Sequence, residues 1–447
     1  MVGTWEKLGL LPELASAVRT LGFATPSAPQ RLAVPSLLTG RSLAFASSTG
    51  SGKTLAFLLP VMQQLKLQEI AQPLLGQEKR CRPRAIVLAP TRDLTTQIGA
   101  VAKEVSQIFR LRVRTAEGGT KLSRHREKLA SGADMLVATP DRLRLLHQLG
   151  DVSLRDVRHF VVDEADDMLL RGFEGPLREL LRKCPPRLGD PPSPQLTFVS
   201  ATLGSDVRHS LKRTFPDVEM LIGSCAHRAP PTLRHEIVPF QGDRLNELQA
   251  MLASDRRYGD AADGEGEARP RTLIFCRGVQ SARAVQHALS EAGLPVAGCH
   301  GQMPDDMRRR DVARFVADPP RKPLLVCTDY TARGMDFPGV ERVINFDFPA
   351  TSALYLHRAG RTARMGRPGE VVSLVHTSER RFAESIRDAV LRQAELHTVR
   401  KGDLRERQRA RGAEANKGRA TARALMGREA AKLRRMAPER RQAARAR

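Results

Sequence analysis

A glycine-rich loop near the N-terminus has the residue types that hold phosphate groups. It consists of Ser48, Thr49, Gly50, Ser51, Gly52, Lys53 and Thr54. The loop follows a short apolar run at residues 43–46 and precedes an apolar helical pattern at 55–65. In that context the glycines let backbone N–H groups face phosphate oxygens at a helix N-terminus. Lys53 would reach the terminal phosphates of a nucleotide, and the Thr54 hydroxyl would bind Mg²⁺.

This loop has one departure from the strict phosphate-loop pattern. The pattern begins with glycine, whereas this chain has Ser47 at that position. Taken alone, the loop leaves an ordinary glycine turn open as the alternative.

A row of acids provides the second half of the predicted chemistry. The apolar run at residues 160–162 ends in Asp163, Glu164, Ala165 and Asp166. Asp163 is placed to hold Mg²⁺ through water, and Glu164 to orient or deprotonate the water that attacks a phosphate. Acids are also favoured at helix N-termini by the helix dipole. That alternative does not explain why they accompany a phosphate loop, so the two motifs together indicate nucleotide hydrolysis.

Buried strands must position these residues, and the hydrophobic pattern predicts two sets of them. Short apolar runs alternate with longer helical patterns, as in parallel strands joined by crossover helices. The first series is 43–46, 85–89, 135–138, 160–162 and 196–199, and the second is 273–276, 296–299, 324–327, 343–346 and 371–375. We therefore predict an α/β fold with two tandem lobes, at residues 1–226 and 227–397.

The remaining segments are predicted to be a helix, a linker, loops and a tail. Helical spacing from Trp5 to Val18 predicts an N-terminal helix that is part of the mature protein, neither a secretory signal nor a transit peptide. Residues 224–231 suit a linker, and 185–194 and 255–270 suit surface loops. Residues 398–447 contain 17 Lys/Arg and 5 Asp/Glu without an aromatic residue. This composition predicts a disordered or only partly helical basic tail.

The overall charge favours a polyanionic partner. The chain of 447 residues has 73 basic and 49 acidic side chains, a net charge of +24. Such an excess attracts nucleic acid through counter-ion release, although a merely soluble basic protein is the alternative. The six cysteines form no C-x-x-C pair, so we expect no zinc site and a reducing compartment. No apolar run approaches the roughly 20 residues that a membrane span needs.

At this point the motifs resemble those of the DEAD-box RNA helicases. Residues 163–166 spell the family's signature, and the resemblance covers roughly residues 5–378. It implies two RecA-like lobes, with ATP and Mg²⁺ as cofactors and RNA as partner. By resemblance, Trp5, Phe23 and Gln30 form the adenine-selecting motif, in which the Gln30 amide can both donate and accept a hydrogen bond.

The resemblance also assigns RNA contacts and a coupling segment to the first lobe. The predicted RNA contacts are Pro90, Thr91, Arg92, Gly118, Gly119, Thr139, Pro140 and Arg142. Backbone N–H groups, hydroxyls and guanidinium groups suit phosphate contacts that carry no base information. Ser200, Ala201 and Thr202 resemble the segment that couples hydrolysis to strand separation.

The second lobe is expected to complete both sites. Its predicted RNA contacts are Arg277, Gly301, Arg308 and Thr328, and Met307 replaces the polar residue that the family often has beside Arg308. Asp336 is expected to contact the ribose hydroxyls. Residues 357–364 match the H-R-x-G-R-x-x-R motif, with Ala363 where glycine is usual. Arg361 and Arg364 lie three residues apart, which on a helix would point both at a γ-phosphate as arginine fingers.

These expectations add up to an ATP-dependent RNA helicase, with alternatives. Catalysis is assigned to Lys53, Glu164, Arg361 and Arg364. We expect a monomer that closes on ATP and RNA and melts short duplexes. We expect it to work in ribonucleoprotein or ribosome assembly inside the cell, in the mitochondrial matrix or in the nucleus or nucleolus. An ATP-gated RNA clamp that unwinds little is the main alternative, and a DNA translocase is a weaker one.

Overall fold

The computed structural model describes two parallel β-sheets flanked by helices. The described residues are 4–48, 50–71, 81–184, 194–223, 227–255, 270–317, 319–332 and 334–396. All strand pairs within each sheet are parallel. This architecture confirms the predicted α/β fold with two RecA-like lobes.

The first sheet contains seven strands in the order β3-β4-β2-β5-β6-β1-β7. They are β1 Leu43–Ala46, β2 Ala85–Leu88, β3 Val113–Ala116, β4 Met135–Ala138, β5 His159–Val162, β6 Gln195–Ser200 and β7 Glu219–Ile222. The helices of this lobe are α1 Pro12–Thr20, α2 Ala28–Leu38, α3 Lys53–Ala71, α4 Arg92–Phe109, α5 Leu122–Ala130, α6 Pro140–Gln148, α7 Ala165–Leu170, α8 Glu174–Arg182 and α9 Ser205–Thr214.

The central strands of this lobe are apolar on both faces because helices cover both faces. Val87 and Val161 belong to one hydrophobic cluster, whereas Ile86 and Phe160 belong to the cluster on the opposite face. Successive side chains of a strand point to opposite sides of the sheet, so a near-continuous apolar run is what a doubly covered strand requires.

The second sheet has six strands in the order β10-β11-β9-β12-β13-β8. They are β8 Leu233–Phe240, β9 Thr272–Cys276, β10 Val296–Cys299, β11 Leu324–Thr328, β12 Arg342–Asn345 and β13 Gly369–His376. The helices of this lobe are α10 Arg244–Ser254, α11 Val279–Glu291, α12 Asp305–Val316, α13 Asp329–Ala332, α14 Ser352–Ala359 and α15 Arg380–Leu391. In parallel sheets the loops after the strands lie on the same side, and the phosphate loop after β1 and the acids after β5 follow such carboxyl ends.

One predicted helix is wrong at the N-terminus. The segment divides into a 3₁₀ turn at Glu6–Leu8 and the separate helix α1, which begins at Pro12. Gly9 has φ +93°, a left-handed conformation that ends the first turn. The apolar spacing is still used across the break, because Trp5, Leu14 and Val18 all belong to one hydrophobic cluster.

Several predicted segments lie outside the described residues. These are residues 185–193 of the predicted loop 185–194 and residues 256–269 of the predicted loop 255–270. Residues 224–226 of the linker and the whole tail at 398–447 belong to them as well. Cys225 belongs to the same group, and the other five cysteines are free and buried. In the part of the chain that the structure describes, no helix is both long and apolar enough to span a bilayer.

Candidate active site between the two lobes

The phosphate loop connects the end of β1 to the start of α3. The Lys53 ammonium donates hydrogen bonds to the carbonyl oxygens of Ser47 and Ser48, at 2.8 and 2.9 Å. Gly50 and Gly52 have φ values of +73° and +93°, which L-residues rarely adopt. The sequence therefore needs glycine at both positions for this turn. Thr49, a predicted ligand of the nucleotide, lies outside the described residues.

Gln30 is attached directly to this loop. Its amide nitrogen donates to the Gly52 carbonyl at 3.0 Å, and its amide oxygen accepts from the Ser27 N–H at 2.6 Å. A Cβ atom at Gly52 would lie 2.6 Å from the Gln30 amide nitrogen. The predicted adenine-selecting glutamine and the phosphate loop are therefore held together by a direct hydrogen bond.

Trp5, which was predicted to contact the nucleotide, lies in the protein interior. It is fully buried, so no face of its ring is available to a nucleotide. Its indole N–H instead donates to the Phe23 carbonyl at 2.9 Å. Trp5 thus supports the segment before Gln30, while Phe23 remains partly exposed.

The predicted acids lie at the carboxyl end of β5, facing the phosphate loop. Burial and the neighbouring Glu164 carboxylate raise the pKa of Asp163 to about 7. Burial lowers the pKa of Lys53 to about 8, against the opposing attraction of Asp163. Lys53 and Asp163 thus act on each other's charge at a distance, while the Lys53 ammonium hydrogen-bonds to loop carbonyl oxygens.

The backbone at Glu164 is in an unusual conformation. Its φ is +48°, in the left-handed region, and the residue precedes α7. One carboxylate oxygen of Glu164 is buried and has no hydrogen-bond partner among the described residues. Strained backbone and an unsatisfied buried carboxylate oxygen are both features of reactive positions.

The oxygen donors present fit Mg²⁺. Thr54 lies in the first turn of α3 and contributes a hydroxyl, and Asp163 contributes a carboxylate. Hydroxyl, carboxylate and phosphate oxygens are the ligands that Mg²⁺ prefers. These two residues therefore suit the predicted metal site.

Asp166 connects the coupling segment to the second lobe. It accepts hydrogen bonds from the Thr202 hydroxyl at 2.7 Å and from His357 Nε2 at 3.1 Å. Burial acts to raise its pKa, but the bonds from His357 and Thr202 hold the pKa down at about 2. The Ser200 hydroxyl donates to the Thr202 carbonyl, which fixes the turn. Sequence reasoning gave no role to Asp166 or His357, although both lie within recognised motifs.

The expected helical face that presents Arg361 and Arg364 does not exist. Helix α14 ends at Ala359, and Ala363 adopts a left-handed φ of +54°. Arg364 nevertheless packs against the phosphate loop of the first lobe, and Arg361 lies close enough to Lys53 and Glu164 to affect their electrostatics. The Arg364 Cδ lies 3.1 Å from the position that a Cβ on Gly50 would occupy. The geometry that brings Arg364 to the phosphate loop is thus a turn.

The environments of the two arginines differ. Arg361 is buried and donates to the Met335 carbonyl at 2.6 Å. Burial, with repulsion from Arg364, lowers the pKa of Arg361 to about 10, so it remains charged at neutral pH. Arg364 is paired with the carboxylate of Asp336, the predicted ribose ligand.

The predicted RNA contacts at the cleft include two arginines that share one carboxylate. Arg92 donates to Asp305 Oδ2 at 2.5 Å, and Arg308 donates to Asp305 Oδ1 at 2.9 Å. Arg308 also lies 3.9 Å from Asp93. We call this group of Arg92, Asp93, Asp305 and Arg308 the cleft ion cluster. Asp93 and Asp305 were not among the predicted site residues. The sequence shows only that Asp93 follows the predicted contact Arg92 and that Asp305 lies three residues before the predicted contact Arg308.

The remaining predicted RNA contacts are distributed along both lobes. Thr91 caps α4 by accepting from the Leu94 N–H, and Arg142 donates to the Thr120 carbonyl at 3.0 Å. Arg277 is exposed, and its backbone N–H donates to Asp347. The others are Pro90, Gly118, Gly119, Thr139, Pro140, Gly301 and Thr328, which lie in or beside loops after strands. Their roles in RNA binding stay predictions.

Two further contacts join the lobes. The Arg171 guanidinium lies 5.1 Å from the centre of the Tyr330 ring. Gly334 leaves no room for a side chain against Leu94 of α4. The lobes therefore meet in a closed cleft whose facing residues are largely polar.

Comparison with known proteins places both lobes in described families. The pattern of the DEAD/DEAH box helicase family matches residues 27–210, and that of the helicase conserved C-terminal domain matches residues 255–366. The chain is 34% identical over 410 residues to "DEAD-box ATP-dependent RNA helicase 39" of Arabidopsis thaliana, covering 91% of this chain and 64% of the relative. It is 35% identical over 389 residues to "Probable ATP-dependent RNA helicase DDX28" of Homo sapiens, covering 83% of this chain and 70% of the relative.

The lengths of these relatives differ from that of this chain. The chain spans 64% of the first plant relative and 56% of "DEAD-box ATP-dependent RNA helicase 50" of Oryza sativa. The shared part includes both predicted lobes, and the relatives contain additional sequence.

Solved structures with the same fold include RNA complexes. "S. cerevisiae Dbp5 bound to RNA and ADP BeF3" is 26% identical with a TM-score of 0.70, covering 91% of this chain and 98% of that one. "DEAD-box helicase Mss116 bound to ssRNA and UDP-BeF" is 26% identical with a TM-score of 0.74, covering 87% of this chain and 78% of that one.

Proposed function

This chain belongs to the DEAD-box ATP-dependent RNA helicases, and on that premise we propose that it hydrolyses ATP in response to RNA and locally separates short RNA duplexes. The observation that carries the proposal is the meeting of second-lobe arginines with the phosphate loop of the first lobe. Arg364 packs over Gly50, and Arg361 lies buried beside it. A site assembled from both lobes is complete only when the cleft is closed.

We assign the hydrolytic chemistry to residues at the centre of the cleft. Lys53 and the loop N–H groups bind the phosphates, and Glu164 orients or deprotonates the attacking water. Thr54 and Asp163 would hold Mg²⁺, which supplies positive charge to the phosphate oxygens. Arg361 and Arg364 stabilise the charge that develops in the transition state.

RNA is proposed to lie along the carboxyl ends of both sheets. Two structural neighbours with RNA bound have the same two-lobed fold. The assigned contacts are guanidinium groups, hydroxyls and glycine backbone, which recognise the phosphate backbone with little base preference. RNA binding would therefore be insensitive to sequence within the two lobes. Both halves of the ATP site come from one chain, so we propose that a monomer is active.

RNA-stimulated ATP hydrolysis tests this proposal. Wild-type protein should hydrolyse ATP faster when single-stranded RNA is added. Arg361→Ala and Arg364→Ala should each lower turnover about 100-fold, with a smaller effect on ATP affinity. Arg381→Ala, an exposed arginine at the start of α15, is the matched control and should behave like wild type. ATPase activity that is unaffected by RNA, or by Arg361→Ala, would reject the assignment.

An ATP-gated RNA clamp is the second candidate, and the contacts across the cleft favour it. The cleft ion cluster, the Asp166–His357 bond and the Arg171–Tyr330 contact all join the lobes. Such contacts would prolong the closed state. Multiple-turnover unwinding of a short duplex, compared with the lifetime of the ATP-bound RNA complex, distinguishes the two candidates.

We propose ribonucleoprotein or ribosome assembly in the mitochondrial matrix or nucleolus as the biological setting. This proposal is supported by residues 398–447, which contain 17 basic and 5 acidic side chains. Such a positively charged segment suits binding to long structured RNA. Crosslinking the protein to RNA in cells and sequencing the bound fragments would identify the target. Recovery of messenger RNA alone, without ribosomal RNA, would reject this setting.

A further inference from the structure

The edge of the first sheet has a basic pocket away from the predicted active site. The pocket has a volume of about 240 Å³ and is lined by Lys103, Val113, Arg114, Thr115, Lys128 and Ser131. These residues come from α4, from the edge strand β3 and from α5 with the turn after it. We call this group the edge pocket.

Arg114 is fixed in the edge pocket without a neutralising acid. Its Nε donates to the Lys128 carbonyl at 2.9 Å, and Nη2 donates to the Ser131 hydroxyl at 2.8 Å. A third bond, from Nη1, goes to the Val113 carbonyl at 3.3 Å. All these acceptors are uncharged, and the described residues include no carboxylate paired with Arg114. The guanidinium is therefore oriented in advance while its charge stays available.

Two lysines add to this charge. Lys103 and Lys128 are exposed, and within the described part of the chain neither forms an ion pair. The nearby acids Glu104 and Glu127 do not line the pocket. Residues 103–134 contain eight basic and four acidic side chains, so the surplus extends around the pocket. Three cations with two hydroxyls are a suitable set for phosphate oxygens.

Two elements of the edge pocket lead to predicted RNA contacts. Arg114 precedes Gly118 by four residues, about 13 Å along an extended strand. Lys103 follows Arg92 by eleven residues, about 17 Å along the helix. Helix α4 thus begins at a predicted RNA contact and β3 ends two residues before one, so the pocket lies about 13–17 Å along these elements from the predicted RNA path.

We propose that the edge pocket binds the phosphate backbone of RNA that extends beyond the segment held in the cleft. The inference rests on the proposed function for the position of the cleft RNA, and it adds a second contact surface for longer RNA. Charged side chains on an edge strand, such as Arg114 on β3, also prevent pairing with other strands. Preventing strand pairing would need only a charge on β3. It would not need a pocket with cations from three elements, or elements that lead to predicted RNA contacts.

The test compares the affinities of full-length protein variants for oligouridine of about 8 and about 30 nucleotides. Lys103→Gln combined with Lys128→Gln removes two pocket charges without breaking a described side-chain hydrogen bond. Arg208→Gln with Lys212→Gln is the matched control, because both residues are exposed on α9, which leads to β7 at the opposite edge of the sheet. Binding is measured with and without a non-hydrolysable ATP analogue, together with ATPase stimulation by the short RNA.

The pocket variant should bind the long RNA about tenfold more weakly at about 0.1 M salt, with a salt slope flatter by roughly 1.4. Its affinity for the short RNA, and its stimulation by that RNA, should match wild type. Equal losses for both RNAs, no loss, or the same loss in the control variant would overturn the proposal. Failure of the proposed function would appear separately, as absence of RNA-stimulated hydrolysis in the wild type.

Discussion

Lys53 is the residue whose removal tests the phosphate loop most directly. Its ammonium bonds only to loop carbonyls, so Lys53→Ala should leave the fold intact. We expect turnover to fall at least about 100-fold, because a charge that stabilises the transition state is lost. Steady-state ATPase assays measure the effect. Lys66→Ala, a half-buried lysine farther along the same helix, is the control. Near-normal turnover of a folded Lys53→Ala protein would disprove the assignment.

Glu164 provides a second test, because substitution separates binding from hydrolysis. Glutamine keeps the shape of the side chain and loses its charge, so Glu164→Gln should bind ATP normally and hydrolyse it about 100-fold or more slowly. The protein should then stay on RNA longer in the presence of ATP. Dissociation of labelled RNA measures this lifetime, with ADP as the control. A lifetime no longer than that of wild type would contradict the role.

The chemical residues could be predicted because their types and order are specific, whereas their contacts could not. Lys53, Asp163 and Glu164 lie where the motifs predicted. Nothing in the sequence showed that Trp5 would be buried, since an aromatic residue suits both a ligand contact and a hydrophobic core. The burial of Trp5 depends on the hydrophobic cluster that it shares with Leu14 of α1 and Val34 of α2.

At the scale of elements, fully buried strands were predictable, including the edge strand β10, and the three half-exposed edge strands were not. All ten predicted runs are strands, with ends that differ by at most two residues. The missed strands β3, β7 and β8 contain polar residues such as Arg114 and Glu219, and β8 also contains Pro239. Each lies at the edge of its sheet, so half-exposed positions obscured the apolar pattern.

The turn that separates Arg361 from Arg364 gives a prediction at this scale. Ala363 holds a φ of +54°, which costs an L-residue about 1 kcal/mol relative to glycine. Ala363→Gly should therefore leave stability unchanged or raise it by up to about 1 kcal/mol. Ala383→Gly, inside α15, should lower stability by about 1 kcal/mol or more. Denaturant unfolding measures the free energy of unfolding of both variants. A clear decrease in that free energy for Ala363→Gly would contradict the idea that the left-handed backbone at Ala363 costs stability.

At the scale of the whole molecule, contacts between the lobes were beyond sequence reasoning. Arg92 and Asp305 are 213 residues apart in the sequence, and no sequence motif links one to the other. Their pairing depends on the position that each lobe takes when the cleft closes. Sequence motifs predicted which loops face the cleft but not which side chains meet there.

The cleft ion cluster should contribute to closure. Arg92→Ala and Asp305→Ala should each lower the closed fraction with ATP bound, and a double-mutant cycle should give a coupling of about 0.5–1 kcal/mol. Energy transfer between dyes on the two lobes measures closure without RNA, so loss of an RNA contact does not interfere. Arg126 and Asp151 form an ion pair within the first lobe and serve as the control pair. Zero coupling between Arg92 and Asp305 would exclude this contribution.

The basic tail gives a prediction for RNA affinity. Deleting residues 398–447 removes a net charge of +12 and none of the assigned catalytic groups. If about four tail cations contact phosphate at once, the slope of log affinity against log salt should flatten by roughly 3. At saturating RNA the shortened protein should recover most of its ATP turnover. An unchanged slope would favour a role in protein docking or targeting.

The left-handed backbone at Glu164 has a consequence for laboratory evolution. At φ +48° the residues that fit with least strain are glycine and asparagine, and neither can act as a base. A library screened only for heat resistance would therefore enrich inactive variants at position 164. Adding a screen for phosphate release should reverse that enrichment, so position 164 would report which of the two pressures a population has experienced.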